Sequence, residues 1–264
     1  MNYAAACGLF YGEVTKLLKI ADFLKKTHLT AVLVLIIFWW ILAGVINKPI
    51  LPVPAQAFAA FLAALQGGLL RHIGISLFRV VVSMLIATLT GVPLGLFLGK
   101  NKEWDRKIAP YVYITYPIPK VVFMPVLFVV LGIGDISKIL LITLIVFFQI
   151  LVTTRDAAKN IDLSYLLSVK SLGSGFWELY KHVFFPACLP EILTSLRIGL
   201  GTALAVLFLT ETYATQKGIG YFIMDAFSRM AYEEMFAGIM AMGLLGFILY
   251  YLLDKLEKKL CPWK

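Results

Sequence analysis

Residues 171–192 read SLGSGFWELYKHVFFPACLPEI, between two long apolar runs. The stretch opens on Gly-Ser-Gly at 173–175 and carries two prolines, Pro186 and Pro190. Gly173 suits the left-handed turn that ends a helix. Ser174 suits the cap that starts the next one. From there Phe176, Tyr180, Val183, Phe184 and Ala187 recur as one apolar stripe. Pro186 and Pro190 are expected to break or kink the chain as it enters the following apolar run. Upstream, IDLSYLLSVKSL (161–172) reads as another short helix, with Asp162 at its start and Leu163, Leu166, Leu167 and Val169 on one side. The expectation is two short helices hinged at glycine, either a docking knob or an ordinary connector.

The runs on either side decide where this hairpin sits. Of 264 residues, 61% are hydrophobic and 15% are charged. A soluble domain has about 45–50% apolar and about 25% charged residues, so the excess points to a membrane. Spans need about 20 apolar residues. Six candidates meet that need: 29–47, 80–99 (extended back through 73–79), 108–134 (interrupted by Lys120), 136–154, 191–213 and 235–253. The fold class expected is an all-α, polytopic bundle of six transmembrane helices. Residues 1–28 read as an amphipathic surface segment, 29–254 as the membrane domain with a connection at 155–190, and 255–264 as a tail.

The net charge is +9, and its distribution follows topology rather than a soluble basic face. Sixteen Lys and Arg fall in the N-terminal segment, the KNKEWDRK loop (100–107), the 155–190 connection and the C-terminal tail. Five fall on the opposite side: Lys48, Arg71, Lys138, Lys217 and Arg229. The positive-inside bias then puts both termini, and the 171–192 hairpin, in the cytoplasm.

Catalytic and metal chemistry find little support. Cys7, Cys188 and Cys261 are far apart, and His28, His72 and His182 read as single interfacial or surface residues. LGLFLGK (94–100) fails as a phosphate loop, because Leu94 stands where glycine is needed and Asn101 where Ser or Thr is needed. The N-terminus lacks the basic-then-apolar order of a secretory signal.

Charges inside the spans are costly, about 2.5–3.5 kcal/mol each at a helix centre. Three such residues are candidates for a translocation pathway, each with rival readings. Glu211 lines the path, pairs with a basic residue at an external gate, or reaches external water. Arg197 lines the path or snorkels to the interface. Lys120, among prolines at 110, 117, 119 and 125, faces a water-filled path or pairs internally. Gly91, Gly95, Gly199 and Gly201 read as sites of close helix packing.

The cytoplasmic hairpin resembles the loop of binding-protein-dependent ABC importer permeases, whose pattern is E-A-A-x3-G-x9-I-x-L-P. Gly173 takes the glycine, Val183 the isoleucine and Phe185-Pro186 the Leu-Pro, while Leu167-Ser168-Val169 stand in place of E-A-A, without the glutamate. LPVP (51–54), RHIGISLFRV (71–80), GVPLGLFLG (91–99), YPIPKVVFMPVLFVVLGIGDISKI (116–139), LPEILTSLRIGLG (189–201) and KGIGYFI (217–223) are similar to the nitrate, sulfonate and taurine branch of that family. The resemblance implies the type I importer fold and a homodimeric permease with no ATPase site of its own. It further implies two cytoplasmic ATPase subunits holding ATP and Mg, a periplasmic or lipid-anchored binding protein, and a small solute, an anion such as nitrate, a sulfonate or taurine being favoured over the neutral or cationic vitamin precursors that the branch also carries. It makes the hairpin the ATPase-coupling element, with Phe176 and Trp177 as anchors; headgroup anchoring is the other reading of Trp177. An ion-coupled carrier or channel is the alternative class, using Glu211 or Lys120 for coupling.

Overall fold

The structure, a computed structural model, describes residues 30–162, 169, 171, 173, 175–213 and 215–263. Every regular element among them is helical. In order these are α1 (Thr30–Ile46), α2 (Pro54–Ala64), a π-turn (Leu65–Leu69), α3 (Leu70–Lys100), α4 (Lys102–Thr115), a 3-10 turn (Lys120–Phe123), α5 (Met124–Leu131) and α6 (Asp135–Lys159). Then come α7 (Phe176–Leu179), a second π-turn (Tyr180–Phe184), α8 (Phe185–Thr212), α9 (Ile219–Ser228) and α10 (Tyr232–Leu260). The physical reason is general: in lipid each backbone N–H and C=O must be satisfied within the protein, and a helix does this within one segment.

The chain divides into two units, one ending at Ala60 and the other spanning Phe61–Lys264. In the first, Trp39 donates its indole N–H to the Pro52 carbonyl at 3.1 Å. The second holds the core. Val80 and Leu96 of α3, Leu141 and Ile150 of α6, and Leu200 and Leu207 of α8 are buried together. Helices α3 and α6 approach closely because small residues face the contact. A Cβ on Gly95 would lie 2.7 Å from Thr154 Cβ and 2.9 Å from the Leu151 carbonyl, and one on Gly91 would lie 3.1 Å from Ile150. Gly199 likewise packs near Val146, whereas Gly201, expected at a close contact, faces open space.

The segments expected to span are mainly helical where they are described, the third being interrupted at 116–119. Among the described residues, four helical runs are long and apolar enough to cross a membrane alone: Pro54–Lys100, Asp135–Lys159, Trp177–Thr212 and Tyr232–Leu260. The expected third span is two pieces, Lys102–Thr115 and Lys120–Leu131, meeting at 76°. Helix α1 is a shorter apolar helix that begins where the described residues begin.

The two prolines of the hairpin do not break the helix. The helix runs unbroken from Trp177 to Thr212, with Pro186 in its first turns after the π-turn and Pro190 inside it. A proline ring in a regular helix collides with the carbonyl four residues back. Here the π-turn widens the spiral just before Pro186: the Phe185 N–H reaches the Tyr180 carbonyl, five residues back. That shift removes the collision, so the expected second short helix is the leading end of the long α7–α8 rod.

Candidate functional site

The intramembrane charges expected from the sequence sort into three different places. Glu211 sits near the end of α8 and is fully buried, which excludes its reading as a carboxylate reaching water. Its Oε1 accepts from Arg79 Nη1 at 2.7 Å, and its Oε2 accepts from the Gly220 N–H at 2.9 Å. The Ser76 hydroxyl donates between both oxygens at 2.8 and 2.9 Å, and itself accepts from the Ile219 N–H at 2.8 Å. Three helices, α3, α8 and α9, thus meet on one carboxylate. The N-terminus of α9 supplies the Gly220 N–H directly, the Ile219 N–H through Ser76, and the positive end of its dipole.

Arg79, 2% exposed, extends the network. Its Nε and Nη2 donate to Asp135 Oδ1 at 2.8 and 2.6 Å, at the start of α6. Its Nη1 also reaches the Lys217 carbonyl at 3.1 Å. Beside it, His72 Nδ1 lies 3.0 Å from the Gly218 carbonyl and 3.1 Å from its N–H. The His72 ring stacks on Tyr221. His72 is therefore half-buried and part of the latch, not a solitary surface histidine. Gly218 has φ +115°, a conformation open mainly to glycine, and a Cβ there would collide with the Glu211 carboxylate. Lys138 is also buried, its Nζ 3.4 Å from the Gly134 carbonyl and 5.7 Å from the Phe128 ring centre.

Arg197 is neither solitary nor merely snorkelling. Its guanidinium pairs with Asp254 at 2.6 Å and with Glu257, tying α8 to α10. At the same end of the bundle Asp105 at the start of α4 pairs with Arg155 and, at 2.5 Å, with Lys159, both at the end of α6. The α4 start is itself capped by Asn101, whose side chain accepts from the Trp104 N–H. Lys120 pairs internally: its Nζ donates to the carbonyls of Thr115, Tyr116 and Ile118 at 3.0, 2.7 and 3.2 Å.

The hairpin is partly described. Leu167 and Ser168 lie outside the described residues, as do Ser174 and most of the expected first helix; Val169 and Gly173 are inside them. Gly173 has φ +77° with open space around it, matching its expected turn. Helix α7 begins at Gly175, whose carbonyl accepts from the Leu179 N–H and whose N–H donates to Glu178 Oε2 at 2.7 Å. The first is the ordinary helical bond, and the second is the glutamate half of a capping box. Phe176 opens the helix, and Trp177 follows it, 74% exposed, its ring 5.6 Å from Tyr180. Val183 is buried, Phe185 is 41% exposed and Pro186 is half-buried. A cavity of about 710 Å³ separates this segment from α3, lined by Thr88, Val92, Pro93, Trp177, Tyr180 and His182.

A family profile described as "Binding-protein-dependent transport system inner membrane component" matches residues 91–261, from the middle of α3 to the end of α10. The chain belongs to that family. The taurine transport system permease protein TauC of Escherichia coli is 32% identical to this permease over 87% of the chain and 86% of its own length. The aliphatic sulfonates permease SsuC of Bacillus subtilis is 29% identical over 88% and 85%. The nitrate import permease NrtB of Synechocystis is 26% identical over 88% of each chain. An inward-facing MetNI methionine ABC transporter shares the fold, with a TM-score of 0.63 and 19% identity over 73% of this chain and 95% of that one. The chain is thus the inner-membrane permease component of an ABC importer, with the type I fold, and the ion-coupled carrier or channel reading falls away.

Sequence reasoning singled out Glu211 in this permease and missed its partner. The signal was present: Arg79 is a full charge in an apolar run, and two opposite buried charges in different spans favour pairing. Nothing local marks Ser76, Asp135 or the Gly220 N–H, which join Glu211 only through folding.

Proposed function

We propose that two copies of this chain form the pathway of an ATP-driven importer for a small anion, a sulfonate, taurine or nitrate. Two cytoplasmic subunits bind and hydrolyse ATP with Mg, and an external binding protein delivers the solute. Both termini and the hairpin face the cytoplasm, as the distribution of Lys and Arg favours. The hairpin, from Leu167 through Pro186, docks on the ATPases.

One observation carries the coupling reading: the exposed Trp177 stands at the tip of a helix that continues without a break to Thr212. A large exposed aromatic at the tip of a rigid element suits a partner groove. The solute class rests on what the relatives named above carry. Of the three candidate pathway residues, Arg197 and Glu211 are each neutralised by an oppositely charged side chain, whereas Lys120 is held by main-chain carbonyls alone, which makes it the one whose charge is suited to meet solute.

The test is reconstitution of the permease with its ATPases in proteoliposomes. Uptake of taurine, methanesulfonate or nitrate is expected only when binding protein and ATP are both supplied. Uptake that persists without ATP under an ion gradient would overturn the reading.

A further inference from the structure

Helices α4 and α5 meet at a 76° bend, and the bend faces a cavity of about 380 Å³. Tyr116, Pro119 and Lys120 at the bend, Phe148 and Gln149 on α6, and Val206 on α8 line it. Phe148 and Gln149 fall halfway along α6 (Asp135–Lys159), so the cavity lies at mid-depth. Its volume is at the small end of ligand sites, about 300–1,000 Å³.

Lys120 brings a full positive charge to this place. Its ammonium stands 4.6 Å from the centre of the Phe148 ring and 5.4 Å from that of Tyr116, both of them cavity walls. Every hydrogen-bond partner found for it is a main-chain carbonyl. Arg79, Arg155 and Arg197 each hold a carboxylate; among the described residues Lys120 forms no such ion pair. Carbonyls and ring faces satisfy the donors but leave the charge uncancelled. An intramembrane charge in that condition is a functional site by default.

We propose that Lys120 is the anion-reading group of a solute site at this bend, taking a small oxyanion such as a sulfonate or nitrate. The proposal rests on the importer reading above and names its site. The ammonium supplies the charge, the Gln149 amide a second polar contact, and the two rings a wall that excludes bulky hydrated ions. The Ile118 carbonyl, at 3.2 Å, makes the longest of the three contacts and is the one an arriving oxygen displaces. Occupancy would then loosen the cap on the end of α4 and change the bend itself.

The test uses the full complex in proteoliposomes, with taurine, methanesulfonate and nitrate as probes. If the unaltered complex imports none of these and takes up only neutral or cationic solutes, the substrate class fails, and this proposal with it. If it imports an anion, Lys120→Gln is expected to assemble with the ATPases in normal yield and lose uptake at least about tenfold. Lys120→Arg should keep most uptake. In a Cys7→Ala background, Lys120→Cys should regain uptake after an aminoethyl thiosulfonate restores the cation, and not after a sulfonatoethyl reagent. Cys188 and Cys261 are buried and leave a low background. Normal uptake by Lys120→Gln, or no rescue by the aminoethyl group, overturns the proposal while leaving the importer reading intact. Failure of Lys120→Gln to assemble overturns it too, because Lys120 is then only the cap of a broken helix.

Discussion

Replacing Glu211 by alanine tests the buried latch most directly. The change leaves Arg79, 2% exposed, with Asp135 alone, and Asp135 is itself 53% exposed. Removing one partner of a buried pair costs about 3–5 kcal/mol. Retention of Asp135 argues for the lower part of that range. The buried Gly220 N–H and Ser76 hydroxyl also lose their acceptor, about 1–3 kcal/mol for an unsatisfied group, but the terms share one site and do not add in full. A total of about 3–5 kcal/mol corresponds to a fall in Tm of roughly 6–20 °C for a body of this size. The assay is thermal unfolding of the purified permease in detergent. The double variant Arg79→Met/Glu211→Leu should recover much of the loss, since removing both charges abolishes the uncompensated one. A shift below about 2 °C for Glu211→Ala, or strict additivity in the double-mutant cycle, would refute the latch.

Further expectations follow from other contacts. Gly95→Val drives a branched side chain into Thr154 and the Leu151 carbonyl, and should cost at least about 1–3 kcal/mol as overpacking, read as loss of folded permease on gel filtration. Gly173→Val meets no neighbour, but at φ +77° it should store about 1–3 kcal/mol of strain; insertion should survive while ATPase association or coupled uptake falls. For topology, Lys107→Cys should react with an impermeant thiol reagent only in inside-out vesicles and Lys217→Cys only in intact cells; the reverse pattern would invert the orientation.

What the sequence made legible was whatever repeats along the chain. Long apolar runs announce helices, and the expected segments are mainly helical where they are described, apart from the break at 116–119. The spacing around Gly173 announced a positive φ, and the structure has one. Three-dimensional facts without local periodicity were not legible. Arg79 meets Glu211 across 132 positions, and no window of sequence joins them. The break expected at Pro186 is missing for a different reason. Proline disrupts a regular helix, but five residues of π-turn ahead of it relieve the clash, and no simple residue rule marks that turn. Lys120 was legible as unusual, and only the fold shows that its donors go to the end of its own broken span.

Continuity of the α7–α8 rod changes how the hairpin would act. Thirty-six residues from Trp177 to Thr212 make a helix about 54 Å long. A knob joined through flexible prolines would absorb a push from a partner at Trp177. A continuous helix passes it on. Along its length the rod is held by the Arg197 pairs to α10 and, near its far end, by Glu211 to α3 and α9. Helices α3 and α6 are in turn fixed together by the close approach at Gly91 and Gly95. Motion entering at Trp177 therefore has little room to dissipate inside this group of helices. The soft point is the 76° bend at Lys120. The bend faces the cavity that Lys120 lines, so a rigid-body shift of α6 and α8 changes the cavity's walls at Phe148, Gln149 and Val206. On the roles proposed for Trp177 and Lys120, coupling would be a change in the shape of the Lys120 cavity, driven through a stiff lever. A single extra glycine in the π-turn, lengthening it, should leave the bundle folded and slacken that lever, lowering uptake per ATP hydrolysed; unchanged stoichiometry would show that the rod transmits nothing.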